Sequence, residues 1–242
     1  MKIFGLVGHP LGHSFSKDYF EKKFKSADLD CAFINLDIED INQLEEVLSR
    51  HKGMVGFTVT HPYKYKIIKF LSNIDPVANE IKAVNVVKIG EGGKMYGYNS
   101  DIVGFQSLLS ESIKGRHISK AILCGTGGAS RSVSYVLDKN NIPTEILSRS
   151  NGSYQRIMKE GFHDNELVIN ATPVGMYPDI EGVIELPYET ANATNVFIDL
   201  IYNPDVTSFM REARKHGATA FNGLKMLHDQ AEEAWKIWCD NK

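Results

Sequence analysis

Short apolar runs of strand-forming residues alternate along this chain with stretches in which apolar side chains return every three or four positions. The runs are Lys2 to Val7, Cys31 to Leu36, Met54 to Thr60, Ala121 to Cys124, Thr144 to Leu147, Glu166 to Asn170, Val196 to Leu200 and Thr219 to Phe221, and they read as strands with buried faces. Helical patterns lie between them: Tyr19, Phe20 and Phe24 behind the capping candidates Ser14 and Ser16; Ile41, Leu44, Val47 and Leu48 within Asp40 to Arg50; Pro76 to Ile81; Ile102 to Leu109; and Asp205 to His216, stopped by Gly217. Ala83 to Ile89 and Lys94 to Tyr98 flank Gly90-Glu91-Gly92-Gly93 as a hairpin. The last helix, Leu224 to Asp240, aligns Leu227, Ala231, Ala234, Trp235 and Trp238 on one stripe, read as core packing. This β-α-β-α rhythm predicts an α/β fold.

With 242 residues there is enough chain for one large or two modest domains, and the reading is two. The polar stretch Ser112 to Ser119 has no core pattern, so the boundary falls anywhere from Tyr98 to there. A hydrophobic share of 43% and a net charge of −3 leave no basic face to track nucleic acid. Cys31, Cys124 and Cys239 are far apart and form no C-x-x-C pair, which predicts reduced thiols in a cytoplasmic protein. The opening MKIFGLVGHP reads as a strand running into a Gly-Pro turn, not as a signal peptide, and no apolar run approaches the ~18 residues of a membrane span. His9 and His13 straddle a turn with no second ligand pair after them, so no metal is expected.

The stretch Ala121 to Arg149 organises the rest, as strand, glycine turn, helix and second strand. Gly125, Gly127 and Gly128 would let backbone amides approach a pyrophosphate at the N-terminus of the helix, with Ser130 in place of the usual third glycine. An NAD site typically puts an acidic residue at the tip of the second strand, roughly 20 residues after the first glycine. Here that tip is Ser148-Arg149-Ser150, while Glu145 sits at the strand's start, some 10 Å of extended chain away. A guanidinium suits a 2′-phosphate, so NADP is read over NAD; a solvated arginine beside an ordinary turn is the alternative. The loop ATPVGMYP after Asn170 would line the same cofactor cleft.

Lys64 stands just past the C-terminal end of a strand, the edge at which open α/β sheets bind ligands. It reads either as a working residue or as a solvated lysine, since Lys66 and Lys69 follow it on one helix. Ser14 and Ser16 are equally at home as caps or as ligand hydroxyls. Asp101 is a natural N-cap for the helix that begins at Ile102.

Taken together, the ordered blocks GHPLGHSFS (Gly8 to Ser16), GFTVTHPYK (Gly56 to Lys64), AVN (Ala83 to Asn85), GYNSD (Gly97 to Asp101), GTGGASR (Gly125 to Arg131), NATPVGM (Asn170 to Met176), DLIYNP (Asp199 to Pro204) and GLKMLHDQA (Gly223 to Ala231) resemble the shikimate dehydrogenase family over nearly the whole chain. The resemblance implies an N-terminal α/β substrate domain of residues 1–100 completed by residues 224–242, and a Rossmann-type NADP-binding domain of residues 101–223. It implies reversible hydride transfer between NADPH and the ring ketone of 3-dehydroshikimate, giving shikimate for aromatic amino-acid synthesis.

Lys64 and Asp101 would then form the acid/base pair. Ser14 and Ser16, with Tyr202, would hold the substrate carboxylate, and Thr60, Asn85 and Gln230 the ring oxygens. Gly125, Gly127, Gly128, Ala129, Ser130, Arg131, Ser148, Arg149, Ser150, Leu200 and Gly223 would contact NADP(H). The chain departs from the family at Lys17 and Tyr19 (usually Pro and His), Thr58 (Asn), Lys82 and Val86 (Gly and Thr) and Ser100 (Thr). Ser148-Arg149-Ser150 replaces Asn-Arg-Thr, and Ser153 replaces a second basic residue, leaving Arg156 as its substitute. A quinate/shikimate dehydrogenase with relaxed cofactor use and a non-catalytic NADP-binding module are the competing readings. Retention of both Lys64 and Asp101 speaks against the second. Monomer and homodimer stay open.

Overall fold

The structure is a computed structural model and describes residues 1–12, 15–148 and 153–240. It divides into two compact units, one of Met1–Ser100 with Ala231–Lys242 and one of Asp101–Gln230.

In the first unit the chain runs through β1 (Lys2–Gly8), α1 (Phe15–Ser26), β2 (Cys31–Asp37), α2 (Leu44–Ser49), β3 (Met54–Val59), β4 (Asn73–Ile74), α3 (Pro76–Glu80), β5 (Val86–Ile89) and β6 (Met95–Tyr98). These strands form a six-stranded sheet in the order β2-β1-β3-β5-β6-β4. It is mixed: β1 pairs in parallel with β2 and β3, whereas β5 runs antiparallel to β3 and β6. The period-two pattern sorts the sheet's two faces. Phe4 and Leu6 of β1 join Phe20, Phe24, Phe33, Ala231, Ala234 and Trp238, while Val7 joins Leu36, Leu44, Phe57, Ile67, Val84 and Val87 on the other side. Trp238 is seated by a hydrogen bond from its indole Nε1 to the Val87 carbonyl (3.0 Å), and Lys23 of α1 holds both carboxylate oxygens of Glu232 at 2.8 Å.

The second unit contains α4 (Asp101–Ser112), β7 (Lys120–Cys124), α5 (Gly128–Lys139), β8 (Thr144–Leu147), α6 (Ser153–Glu160), β9 (Glu166–Asn170), β10 (Val196–Asp199), α7 (Ser208–Lys215), β11 (Thr219–Phe221) and the beginning of α8 (Leu224–Cys239). Its five strands are all parallel, in the order β11-β10-β9-β7-β8. Helices cover both faces. Leu123, Ile169 and Ile198 pack on Phe105, Leu109, Val133 and Leu137 of α4 and α5; Ile122, Val168 and Phe197 pack on Ile157, Phe209 and Ala213 of α6 and α7. Near-continuous apolar strands are what such a doubly covered sheet requires.

Four expectations need correction. The Asp40 to Arg50 helix opens as a 3₁₀ turn over Ile41–Gln43 and becomes α-helical only in α2, because the Asp40 carboxylate accepts from the Asn42 amide (3.0 Å) and tightens the first turn. Lys66 and Lys69 lie on a 3₁₀ turn, Lys66–Phe70. Asp101 is the first residue of α4, so the helix begins one position before Ile102. On α8, Leu227 is only half-buried and Met226 enters the second unit's core, while Ala231, Ala234 and Trp238 enter the first's. The division into compact units falls inside α8, after Gln230. Among the described residues, no helix is long and apolar enough to cross a membrane.

Candidate functional site

In the first unit, backbone bonds gather three of the expected substrate residues at the carboxyl end of β3. The Val59 amide donates to the Asn85 carbonyl (2.8 Å), the Thr60 amide to Val7 (2.9 Å) and the Val84 amide to the Lys64 carbonyl (2.8 Å). Thr60, Lys64 and Asn85 therefore come from one patch of backbone. Tyr63 clamps the turn between them: its hydroxyl donates to the Ile38 carbonyl at 2.6 Å, and its ring is buried. The loop after β1 is tied down by Asp37, which takes the His9 imidazole Nδ1 at 2.8 Å and the Leu11 amide at 3.1 Å. The His9 hydrogen bond, then the Leu11 amide, holds the Asp37 carboxyl below its usual range. Ser16 lies in the first turn of α1. Ser14 lies outside the described residues.

The Asn85 carboxamide is buried against Ser100, a residue that sequence reasoning passed over except to note its departure from Thr. Its Oδ1 accepts from the Ser100 amide at 2.7 Å, and its Nδ2 donates to the Ser100 hydroxyl at 3.0 Å. The signal was present as a polar residue directly before Asp101, but nothing in the pattern linked it to position 85.

In the second unit, β7 ends in a turn that suits a dinucleotide phosphate. Gly125 has φ +112°, a conformation few side chains tolerate, and a Cβ there would press on Ala171 at 3.0 Å. The Ser130 hydroxyl donates to the Gly125 carbonyl at 2.6 Å, which is how a serine serves in the third glycine's place: small enough to be buried, and partnered when it is. Gly127 caps the twelve-residue α5, and a Cβ there would meet nothing within 4 Å. At this helix start the amides of Gly128, Ala129 and Ser130 have no intrahelical acceptor and fit a pyrophosphate, whereas the Arg131 amide donates to the Gly127 carbonyl at 3.2 Å.

At the end of β8, the Ser148 amide donates to the Ser153 hydroxyl at 2.9 Å. Arg149 and Ser150 lie outside the described residues. Glu145 pairs across to Lys120 of β7 and also to Arg156 of α6. The guanidinium expected to stand in for the second basic residue is thus engaged at the start of the strand.

The carboxyl ends of β9 and β10 are joined by a buried network. Asp199 accepts from Asn170 Nδ2 at 3.0 Å, from the Ile201 amide at 3.0 Å and from the Thr207 hydroxyl at 2.6 Å. Burial pushes the Asp199 carboxyl up to about 6, against the opposing pull of those three donors. The network fixes the chain at Leu200 and Tyr202, and burial also raises the Tyr202 phenol. Gly223 donates to the Ile201 carbonyl at 2.9 Å, and a Cβ on it would lie 2.1 Å from the Leu200 carbonyl oxygen, so no larger residue fits. Gly104 lets α4 lie against α8, its missing Cβ 2.6 Å from the Met226 carbonyl and 3.2 Å from Gln230. Burial pushes the Cys124 thiol up to about 12, which makes it inert. Among the described residues no group of three or more His, Cys, Asp or Glu is placed to hold a metal ion.

Comparison with known proteins agrees with this geometry. Residues 6–87 match the family model described as the shikimate dehydrogenase substrate binding domain. The shikimate dehydrogenase (NADP+) of Methanocaldococcus jannaschii is 38% identical, over 98% of this chain and 91% of its own. A shikimate dehydrogenase crystallised with NADP+ superposes with TM-score 0.81 at 36% identity, over 98% of this chain and 90% of its own. The Thermus thermophilus enzyme in complex with NADP(H) and shikimate gives TM-score 0.83 at 28% identity, over 99% of this chain and 94% of its own. The α/β fold and the resemblance carried by the ordered sequence blocks are both borne out, and the chain belongs to the shikimate dehydrogenase family.

Proposed function

We propose that this protein interconverts shikimate and 3-dehydroshikimate with NADP(H). The observation that carries this reading is the gathering of Thr60, Lys64 and Asn85 at one sheet edge, in a family whose Thermus relative binds both NADP(H) and shikimate. NADPH supplies the hydride. Reduction of the ring ketone leaves an oxygen that needs one proton, and the Lys64 ammonium delivers it; in the oxidative direction the neutral Lys64 amine removes the same proton. Asp101 is the carboxylate member of the pair. Thr60, Asn85 and Gln230 hold ring oxygens, and Ser14, Ser16 and Tyr202 the substrate carboxylate. Gly125 through Arg131, Ser148 to Ser150, Leu200 and Gly223 hold the dinucleotide. We assign residues 1–100 with the end of α8 to substrate and the five-stranded unit to cofactor. The three free cysteines, Cys31, Cys124 and Cys239, suit a reducing compartment, and we place the protein in the cytoplasm.

The pairing of Arg156 with Glu145 favours one variant of this reading, in which Arg149 alone recognises the 2′-phosphate and preference for NADP over NAD is relaxed. Initial rates with shikimate and quinate, each with NADP+ and NAD+, test both points. The highest kcat/KM is expected for shikimate with NADP+. Absence of shikimate oxidation with either dinucleotide, or a preference for quinate, would overturn the assignment.

A further inference from the structure

We propose that Ser100 is a positioning residue that fixes which end of the Asn85 carboxamide meets the substrate. This rests on the reading of Asn85 as a substrate contact. Both residues are nearly sealed from solvent, at 4% exposure for Asn85 and 1% for Ser100. The backbone of Asn85 is held on both sides, its carbonyl by the Val59 amide at 2.8 Å and its amide by the Tyr98 carbonyl at 3.1 Å. Only the side-chain torsions remain to be set.

A carboxamide can be turned end for end with little change in shape, so its orientation is decided by its partners. The partner at 2.7 Å is the backbone amide of Ser100, which can only donate, so the atom facing it is the oxygen. Nδ2 is thereby the donor end, and the Ser100 hydroxyl, which can accept, takes it at 3.0 Å. The amide lock sets the direction, and the hydroxyl holds the torsion. Asn85 consequently presents a nitrogen donor to a substrate oxygen, which suits a hydroxyl or ketone lone pair.

The test uses steady-state kinetics on the full-length protein with Ser100→Ala, Ser100→Gly, Ser100→Thr and Asn85→Ala. Ser100 directly precedes α4, and Gly retains most of a serine's value at a helix start where Ala does not. Agreement between Ala and Gly thus separates the lost hydroxyl from a weakened helix. The expected result is a rise in KM for shikimate of about 3- to 10-fold in both, of the size of one hydrogen bond, with kcat and KM for NADP+ within about twofold of wild type and with Ser100→Thr restored. Wild-type KM for shikimate in Ser100→Ala and Ser100→Gly, or a loss shared equally by shikimate, NADP+ and thermal stability, overturns the positioning role. If Asn85→Ala also leaves KM for shikimate unchanged, the site assignment fails with it; if Asn85→Ala raises that KM while the Ser100 variants do not, the positioning role alone fails.

Discussion

Asp199 is buried among three donors, and its carboxyl is still pushed up to about 6. The folded protein therefore binds more protons at this site than the unfolded chain does between the usual value of 3.8 and about 6, so its contribution to stability falls as pH rises through that window. Asp199→Asn removes the titration. The melting temperature of the variant relative to wild type is expected to climb as pH rises from about 4 to about 6 and then level off; a difference independent of pH would show that the site does not titrate. A second residue-scale prediction concerns Arg149, which the sequence alone singles out. Arg149→Ala is expected to raise KM for NADP+ by about tenfold or more, the scale of a lost charge-assisted bond, and to leave KM for NAD+ nearly unchanged. Equal losses would remove the 2′-phosphate assignment. Single-residue geometry was legible where a motif named it, as in the left-handed backbone at Gly125. It was hidden where it depends on a partner far along the chain: Asn85 with Ser100, Glu145 with Arg156, and Asn170 with Asp199 are contacts made by the fold, not by spacing.

The strands were the most legible elements, because each must be apolar along most of its length to sit between helices, and Leu123, Ile169 and Ile198 fall on one face while Ile122, Val168 and Phe197 fall on the other. Short helical turns were less so. Four or five residues carry too little periodicity to separate a 3₁₀ turn from an α-helix, and at Asp40 a single side-chain cap decided it. The stripe on α8 failed for a different reason: a helix that serves two cores needs two faces, so Met226 and Trp238 do not belong to one line. Where elements touch through a glycine, the cost of filling the gap is predictable. Gly223→Ala places a methyl 2.1 Å from the Leu200 carbonyl, a backbone atom that cannot swing aside. It should lower stability by about 1–3 kcal/mol or more and raise KM for NADP+, as measured by denaturant unfolding and kinetics; a variant with wild-type values of both would mean the two segments separate easily.

At the scale of the whole molecule, the chain builds two sheets of different character. One is mixed and tied to the end of α8 through the Trp238 indole; the other is parallel, with a glycine turn after β7, the strand beside the β8 edge. The sequence distinguished these two units because the hairpin after Ala83 and the parallel rhythm after Ala121 are different local patterns. It placed their boundary loosely, since α4 follows β6 after only Asn99 and Ser100, with no linker composition to mark the change. Lys64 is the proposed proton donor and acceptor, and the most direct measurement is turnover of Lys64→Ala with shikimate and NADP+, alongside shikimate binding by calorimetry. We predict kcat lower by about 10²-fold or more with a dissociation constant close to wild type; near-wild-type turnover would contradict the assignment of this lysine and the mechanism built on it.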